Sequence, residues 1–441
     1  MYYTFEFDEN SAANMCTSFI AILFSIYIIK LISFIDKEEG IENIRLFSSK
    51  IKNIIRNKKN TNKQQNKVTD KIKIGLLTNE IPPIVYGGVA TWIVNFLDMF
   101  KNDPEYEVIP IYLAYQDLPP NEFNKYKDLR IIYSADDIQK CFDGIDVCIN
   151  NIWISLETIK DIKRIYPDIP MISICHSLIQ MEHKTNLGSQ YTVTWKDQEV
   201  TFQNSDFVVL ISEAEKKYYM HFNYNKFSAI PIVIYNSYKP KYDNVHLQNN
   251  YNLDDPGYIG RHVPRKRPEL PLFAVEKIGN KDVKIINMGV DYKNGSNDYW
   301  EKLETEHKQL EIIPFSSDPK LKAKYWNNVG VNCITGIYEP FGYTICETLD
   351  RRVPCIVQNI DGPSEIIKGF EEHVITYKVD MDMEKDIENF SQALNVFWNK
   401  SEKERKEMAE KARKSLDRFR PEVIKQDWKH LLDKCFVTNS L

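Results

Sequence analysis

The residues best suited to chemistry lie in Tyr338-Glu339-Pro340-Phe341-Gly342-Tyr343-Thr344-Ile345-Cys346-Glu347, where two carboxylates stand eight positions apart and a Pro and a Gly follow the first. A helix opening near Gly342 turns its first unpaired amides outward, where they can hold a phosphate, with Glu347 about one turn deeper. Glu339, on the loop before that helix, is placed to accept hydrogen bonds from sugar hydroxyls. A second group is Tyr258-Ile259-Gly260-Arg261-His262-Val263-Pro264-Arg265-Lys266, a strand end that delivers Arg261 and, five residues later, Lys266. Two fixed cations suit a diphosphate, whose negative charge grows as a bond from sugar to phosphate breaks. Arg265 and Arg267 read as charges of the solvated rim.

Two further segments point to the same region. Pro82-Pro83-Ile84-Val85-Tyr86-Gly87-Gly88-Val89 closes a strand and opens a helix. Gly87 and Gly88 let the backbone approach a ligand closely, although the segment lacks the G-x-G-x-x-G of dinucleotide-binding proteins. His176 follows Met171-Ile172-Ser173-Ile174-Cys175 directly, which places it at the carboxyl end of a parallel strand, where α/β sheets bind ligands. His183, His262 and the other histidines carry no assignment. No metal is expected, because the two cations supply the charge a metal would bring.

Together these segments resemble the retaining glycosyltransferases of family 4, which have the GT-B fold. The family's E-x7-E motif is matched by Glu339 and Glu347, within Glu339-Pro340-Phe341-Gly342 and ahead of Pro354-Cys355-Ile356-Val357 and Gly362-Pro363-Ser364-Glu365-Ile366-Ile367. The resemblance runs from about Lys71 to the C-terminus. It implies that Glu339 binds the donor hexose, that Glu347 binds the nucleotide ribose, and that Phe341, Gly342, Tyr343 and Thr344 lie along the donor. The family's G-R-x4-K motif is matched by Arg261 and Lys266, which implies a donor-phosphate role for both. Gly87 and Gly88 look like its N-terminal glycine loop, and His176 like its hexose-contacting histidine, so His176 and Glu339 are the implied catalytic pair. Asn236 resembles the P-N-G segment at the crossing between domains. Four positions depart from the pattern: Ser237, Arg267, Arg352 and the pair Asp361-Gly362 stand where glycines are usual.

The reaction so implied is metal-independent, front-side transfer of a hexose from a nucleotide-diphosphate sugar to an acceptor hydroxyl. The donor is a co-substrate and no cofactor is expected. The acceptor is a glycan, a lipid-linked or a protein hydroxyl. Two alternatives share the frame: a sugar-nucleotide epimerase, and a membrane-tethered binding protein without catalysis.

The elements that must position these residues are short apolar runs alternating with helical patterns, the signature of βαβ units. In the first half, strands are expected at Ile72 to Thr78, Val108 to Leu113, Val147 to Asn150, Met171 to Cys175, Phe207 to Ile211 and Ile230 to Ile234. In the second they are expected around Tyr258-Ile259, Val283 to Met288, Leu310 to Ile313, Gly330 to Ile334 and Pro354 to Gln358. The fold class is therefore α/β, with two Rossmann-like domains facing a central cleft: residues 71–238 on the acceptor side and 239–418 on the donor side. Residues 419–441 form a C-terminal helix returning to the first domain, with Val423, Ile424, Trp428, Leu431 and Leu432 on one face.

Ahead of the domains, Met15 to Ile35 is nearly all apolar and long enough to cross a bilayer as one helix. Residues 1–14 precede it, and residues 36–70 form a basic juxtamembrane linker. Arg45 to Lys67 holds eight Lys or Arg and no acid, which places the domains on the cytosolic side and favours contact with an anionic membrane. The chain of 441 residues is 43% hydrophobic and carries a net charge of -5, so it has ample core material and no global basic field for nucleic acid. The eight cysteines form no C-x-x-C pair and read as buried thiols in a reducing compartment.

Overall fold

The computed structural model describes residues 71–436 except 86, 115–125, 127, 153–155, 186–194, 244–249, 291–296 and 317. The expected membrane helix at 15–35 and the basic collar lie outside the described residues. Among those described, no helix is long and apolar enough to cross a membrane.

Seven parallel strands make the first sheet: β1 Ile72–Thr78, β2 Tyr106–Leu113, β3 Arg130–Ile132, β4 Val147–Asn150, β5 Met171–Cys175, β6 Phe207–Leu210 and β7 Ile230–Val233. Their order is β3-β2-β1-β4-β5-β6-β7. Six strands make the second: β8 Pro256–Ile259, β9 Ile285–Val290, β10 Leu310–Pro314, β11 Val331–Ile334, β12 Cys355–Gln358 and β13 Ile375–Tyr377, ordered β10-β9-β8-β11-β12-β13. Central strands such as β4 and β5 are buried along their whole length, because helices cover both faces of a parallel sheet and select unbroken apolar runs. The edge strands β3 and β13, three residues each, are not among the strands expected from sequence, since so short a run has no period to read.

Helices α1 Gly88–Phe100, α2 Asp137–Phe142, α3 Leu156–Ile165, α4 Ile179–Thr185, α5 Trp195–Gln203 and α6 Glu213–His221 connect the first sheet. Around the second run α7 Leu270–Ile278, α8 Asn297–Glu306, α9 Pro319–Asn328, α10 Tyr343–Asp350, α11 Asp361–Ile366, α12 Met383–Trp398 and α13 Glu402–Ala412. In each sheet the strand order reverses at the first strand, between β1 and β4 and between β8 and β11. A crevice opens beyond the carboxyl ends of such strands. The glycine loop follows β1, His176 follows β5, Arg261 follows β8 and Glu339 follows β11, so topology alone carries all four to strand ends of this kind.

Helix α14, Pro421–Phe436, returns from the second sheet and packs on α1. Trp428 meets Trp92 edge-on at 5.9 Å and Phe96 at 5.1 Å. The buried stripe is Ile424, Trp428, Leu431, Leu432, Cys435 and Phe436; Val423, expected on that face, is exposed, one residue out of phase with the helical repeat. Asp103 is buried beneath the same helix, where Lys425 and Lys429 approach to 2.8 and 3.0 Å. Although burial alone would raise its carboxyl, the two ammonium groups and the amides of Glu105 and Tyr106 hold it down to about 2. The seven described cysteines are buried, unbridged thiols.

Candidate functional site

On the second sheet the site is assembled by the turns after β8, β11 and β12. Gly342 adopts φ 112 as the residue before α10, and no side chain caps that helix, so the dipole of its first turn is left unopposed by a cap. Tyr343 and Thr344 are half-buried there, and Glu347 lies half-buried one turn on. Phe341 differs from the rest of its segment: its ring is in the core against Tyr343 at 5.4 Å and Phe419 at 5.5 Å, leaving only its backbone to face a ligand. The loop is clasped from β12. Asp361 Oδ2 accepts from the Glu339 amide at 3.3 Å, Gly362 donates its amide to the Glu339 carbonyl at 3.1 Å, and a Cβ on Gly362 would sit 2.5 Å from the Phe341 and Pro340 backbone. Only glycine fits that approach.

Lys266 donates to Glu339 Oε2, the two side chains being 20% and 15% exposed. Burial would push the Glu339 carboxyl up; Lys266, then Arg265 and Arg261, outweigh it and hold it below its ordinary value. The Lys266 ammonium is held below its usual range by burial and by the two guanidinium groups, against the pull of Glu339. Three cations thus converge on one carboxylate, a place that favours a further anion. Arg261 is exposed and acts across the cleft on Glu80, which follows β1 and whose carboxyl burial raises.

From the first sheet come the glycine loop and His176. Gly87 would meet nothing with a Cβ, and Gly88 only the Tyr343 ring at 3.9 Å. No packing therefore demands glycine at either position, and Gly88 borders the start of α10. His176 Nε2 lies 2.5 Å from Asn151 Oδ1, so the ring donates there and Nδ1 carries the lone pair. Burial lowers its pKa to about 3, which makes it a neutral hydrogen-bonding group at physiological pH rather than a proton donor of the charged type. Trp92 steadies the ring edge-on at 5.6 Å.

Two expectations are overturned. Arg265 and Arg267 are not rim charges: they are 3% and 1% exposed. Arg265 donates to the Tyr338 carbonyl at 3.0 Å and pairs with Glu182 at 3.3 Å. Arg267 pairs with Asp386 and donates to the carbonyls of Asp380 and Met381. Glu80 and Asn151 join the site without having been singled out from sequence, and Asp361, noted there only as standing where a glycine is usual, joins it too; all three immediately follow or lie just beyond a strand end, and that position was the available signal. Among the described residues no group of His, Cys, Asp or Glu could hold a metal. The Asp-x-Asp run Asp380-Met381-Asp382 is spent locally, with Asp382 capping α12 through the amides of Glu384 and Lys385.

The fold, two parallel Rossmann-like sheets, is that of the GT-B architecture, and the chain is similar to glycosyltransferases. Residues 252–415, most of the second domain, match the family model described as Glycosyl transferases group 1. An uncharacterized glycosyltransferase of Methanocaldococcus jannaschii is 25% identical over 334 residues, spanning 67% of this chain and 83% of the relative. Sucrose-phosphate synthase from Thermosynechococcus elongatus superposes with a TM-score of 0.67 at 16% identity, covering 83% of this chain and 99% of that one. Anabaena HepE, in complex with UDP and glucose, superposes with a TM-score of 0.64 at 15% identity, covering 82% of this chain and 99% of its own.

Proposed function

We propose that the chain is a retaining, family 4-like hexosyltransferase that moves a hexose from a nucleotide-diphosphate sugar to an acceptor hydroxyl. The observation that carries this reading is the Lys266–Glu339 pair at the uncapped start of α10, with Arg261 and Arg265 acting on both members. The donor diphosphate takes Arg261, Lys266 and the first amides of α10, while Glu347 takes the ribose. Glu339 and neutral His176 hold the hexose hydroxyls, with Gly87 and Gly88 leaving room for diphosphate and acceptor. In the transfer step the bond from anomeric carbon to phosphate oxygen breaks, and the acceptor oxygen bonds to that carbon from the same face. The acceptor proton passes to the departing diphosphate. The converging cations stabilise the charge on that diphosphate as it develops, the task a divalent ion performs elsewhere. HepE has also been solved with UDP-glucose, which supports a nucleotide sugar as donor. The apolar run and basic collar at the N-terminus support a single membrane anchor with the site on the cytosolic side. A glycan, lipid-linked or protein acceptor is within reach from there.

The test uses the full-length protein in detergent. A panel of nucleotide sugars is screened by thermal shift, since a bound donor stabilises the folded state, and transfer is assayed with the donor that binds. Lys266→Ala and Glu339→Ala are each expected to lower kcat by about a hundred- to a thousandfold. Near-wild-type transfer in both variants overturns the site, and an altered donor with no new glycoside identifies the epimerase reading instead. An inverted anomer in the product overturns the front-side step alone.

A further inference from the structure

Arg265 stands one residue before the proposed phosphate-binding Lys266, yet its guanidinium faces away from solvent. Nη1 donates to the Tyr338 carbonyl at 3.0 Å, Nη2 to Glu182 Oε1 at 3.3 Å, and its own carbonyl accepts from the Ile337 amide at 2.8 Å. Backbone and side chain therefore both grip the two residues ahead of Glu339. The far side of the contact belongs to the first sheet. Glu182 Oε1 also accepts from Ser177 Oγ at 2.8 Å, and the Leu178 amide donates to Tyr338 Oη at 2.9 Å. Ser177 and Leu178 directly follow His176. A closed ring of contacts thus links the turn of His176, the loop of Lys266 and the loop of Glu339, three segments drawn from two sheets.

The surroundings explain why an arginine serves here. Tyr338 is wholly buried, with Glu215 beside it, also wholly buried; burial pushes the Glu215 carboxyl up to about 8. Asp361, which acts on Glu215, is pushed up to about 6 by burial. Glu182 makes a third carboxyl in the same surroundings, and the Arg265 guanidinium spans two acceptors that a lysine ammonium would reach only one at a time.

We infer that Arg265, with Glu182 and Tyr338, forms a brace that sets the register of the two halves of the site, so that His176 and Glu339 meet the same hexose. Arg265 is in this sense a positioning residue and not a phosphate ligand. The inference rests on the transferase reading above. Its cost of failure is large, because a displacement of about 1 Å at a reacting centre lowers the rate by about a hundredfold.

The experiment compares full-length wild type with Arg265→Lys, Glu182→Gln and the double variant, using the donor found in the screen. Each single variant is expected to lower kcat at least about tenfold while the affinity for the nucleoside diphosphate product, measured by calorimetry, changes less than about threefold. The double variant is expected to be no slower than the worse single variant, because both break one ring. Hydrogen exchange gives a readout independent of the reaction: the Leu178 amide should exchange faster in both single variants, while amides of α14 keep their protection. Unchanged exchange at Leu178, kcat within about twofold of wild type in Arg265→Lys, additive losses in the double variant, or parallel loss of kcat and nucleotide affinity each overturns the brace. If wild type neither transfers a sugar nor binds a nucleotide, the transferase reading fails while the exchange result still decides whether the brace exists.

Discussion

Lys266 and Arg267 are consecutive in the loop after β8, and each pairs with a carboxylate far along the chain, yet one pair is sealed and the other is left accessible. Arg267 and Asp386 are 1% and 0% exposed. Asp386 takes a further bond from the Asp380 amide at 2.9 Å, and Arg267 has two backbone carbonyls besides its carboxylate. Lys266 and Glu339 remain 20% and 15% exposed, with Arg261 and Arg265 acting on both. A sealed ion pair gives nothing to a ligand; it ties the loop to the turn ahead of α12. An accessible pair can exchange its partner for a phosphate. The same backbone turn therefore carries a structural charge and a ligand-facing charge side by side, and burial together with the count of partners tells them apart.

The largest expected effect that sharpens this contrast is on Arg267. Even with its partner present, burial holds the Asp386 carboxyl above its ordinary value, so removing the guanidinium strands a costly group. Arg267→Ala is expected to lower unfolding stability by about 3–5 kcal/mol, read from the urea midpoint. Arg267 also sits at φ 44, a left-handed conformation that costs a side-chain-bearing residue about 1 kcal/mol, so Arg267→Gly should lose less than Arg267→Ala by about that amount. Lys266→Ala, by contrast, should leave the midpoint close to that of wild type while transfer collapses. A Lys266→Ala midpoint that falls as far as that of Arg267→Ala would erase the distinction between the pairs.

A comparable effect concerns Glu215, whose carboxyl lies in the core beneath the brace. Burial raises its pKa from the ordinary carboxyl value of 4.5 to about 8. Sign follows from linkage: the stability associated with the neutral carboxyl is fully present below the unfolded pKa and is lost as pH rises toward the folded one. Glu215→Gln keeps the shape and removes the titration. The variant and wild type should therefore have similar urea midpoints near pH 4.5, and the variant should be the more stable at pH 8. Parallel midpoints across that range would show that the group does not titrate in the fold.

Much of this was legible in sequence because the informative residues sit at the ends of strong periodic elements. Strands β1, β4 and β5 fall on the expected spans, and the segment Glu339 to Glu347 places its own helix through Gly342. What escaped was decided by partners remote in the chain. The arginines flanking Lys266 read as solvated because a charge between prolines ordinarily is; they are buried only because Glu182 and Asp386, 83 and 119 positions away, are brought to them by the second sheet and by the crossing between domains. Local pattern carries no trace of such a partner. The departures from the family's glycines were visible, but their meaning was not: Arg267, Arg352 and Asp361 all adopt positive φ, the conformation for which glycine is usual.

Each of these three residues keeps the glycine-type backbone and adds side-chain bonds that offset its strain. Arg352, at φ 56, offers the mildest case and the smallest expected effect. Its Nε pairs with Glu410 at 2.9 Å, a partner 48% exposed, and Nη1 donates to the Tyr242 carbonyl at 2.9 Å. Arg352→Gly relieves about 1 kcal/mol of backbone strain and gives up a partly screened ion pair worth about 0.2–1 kcal/mol with two carbonyl contacts, the second long at 3.4 Å, together worth about 1 kcal/mol. The terms nearly cancel, so the urea midpoint should move by less than the equivalent of about 1 kcal/mol. Arg352→Ala keeps the strain and loses the bonds, and should be the less stable of the two. If Gly and Ala instead destabilise equally at this position, backbone strain is not what these side chains offset, and the same account of Arg267 loses its basis.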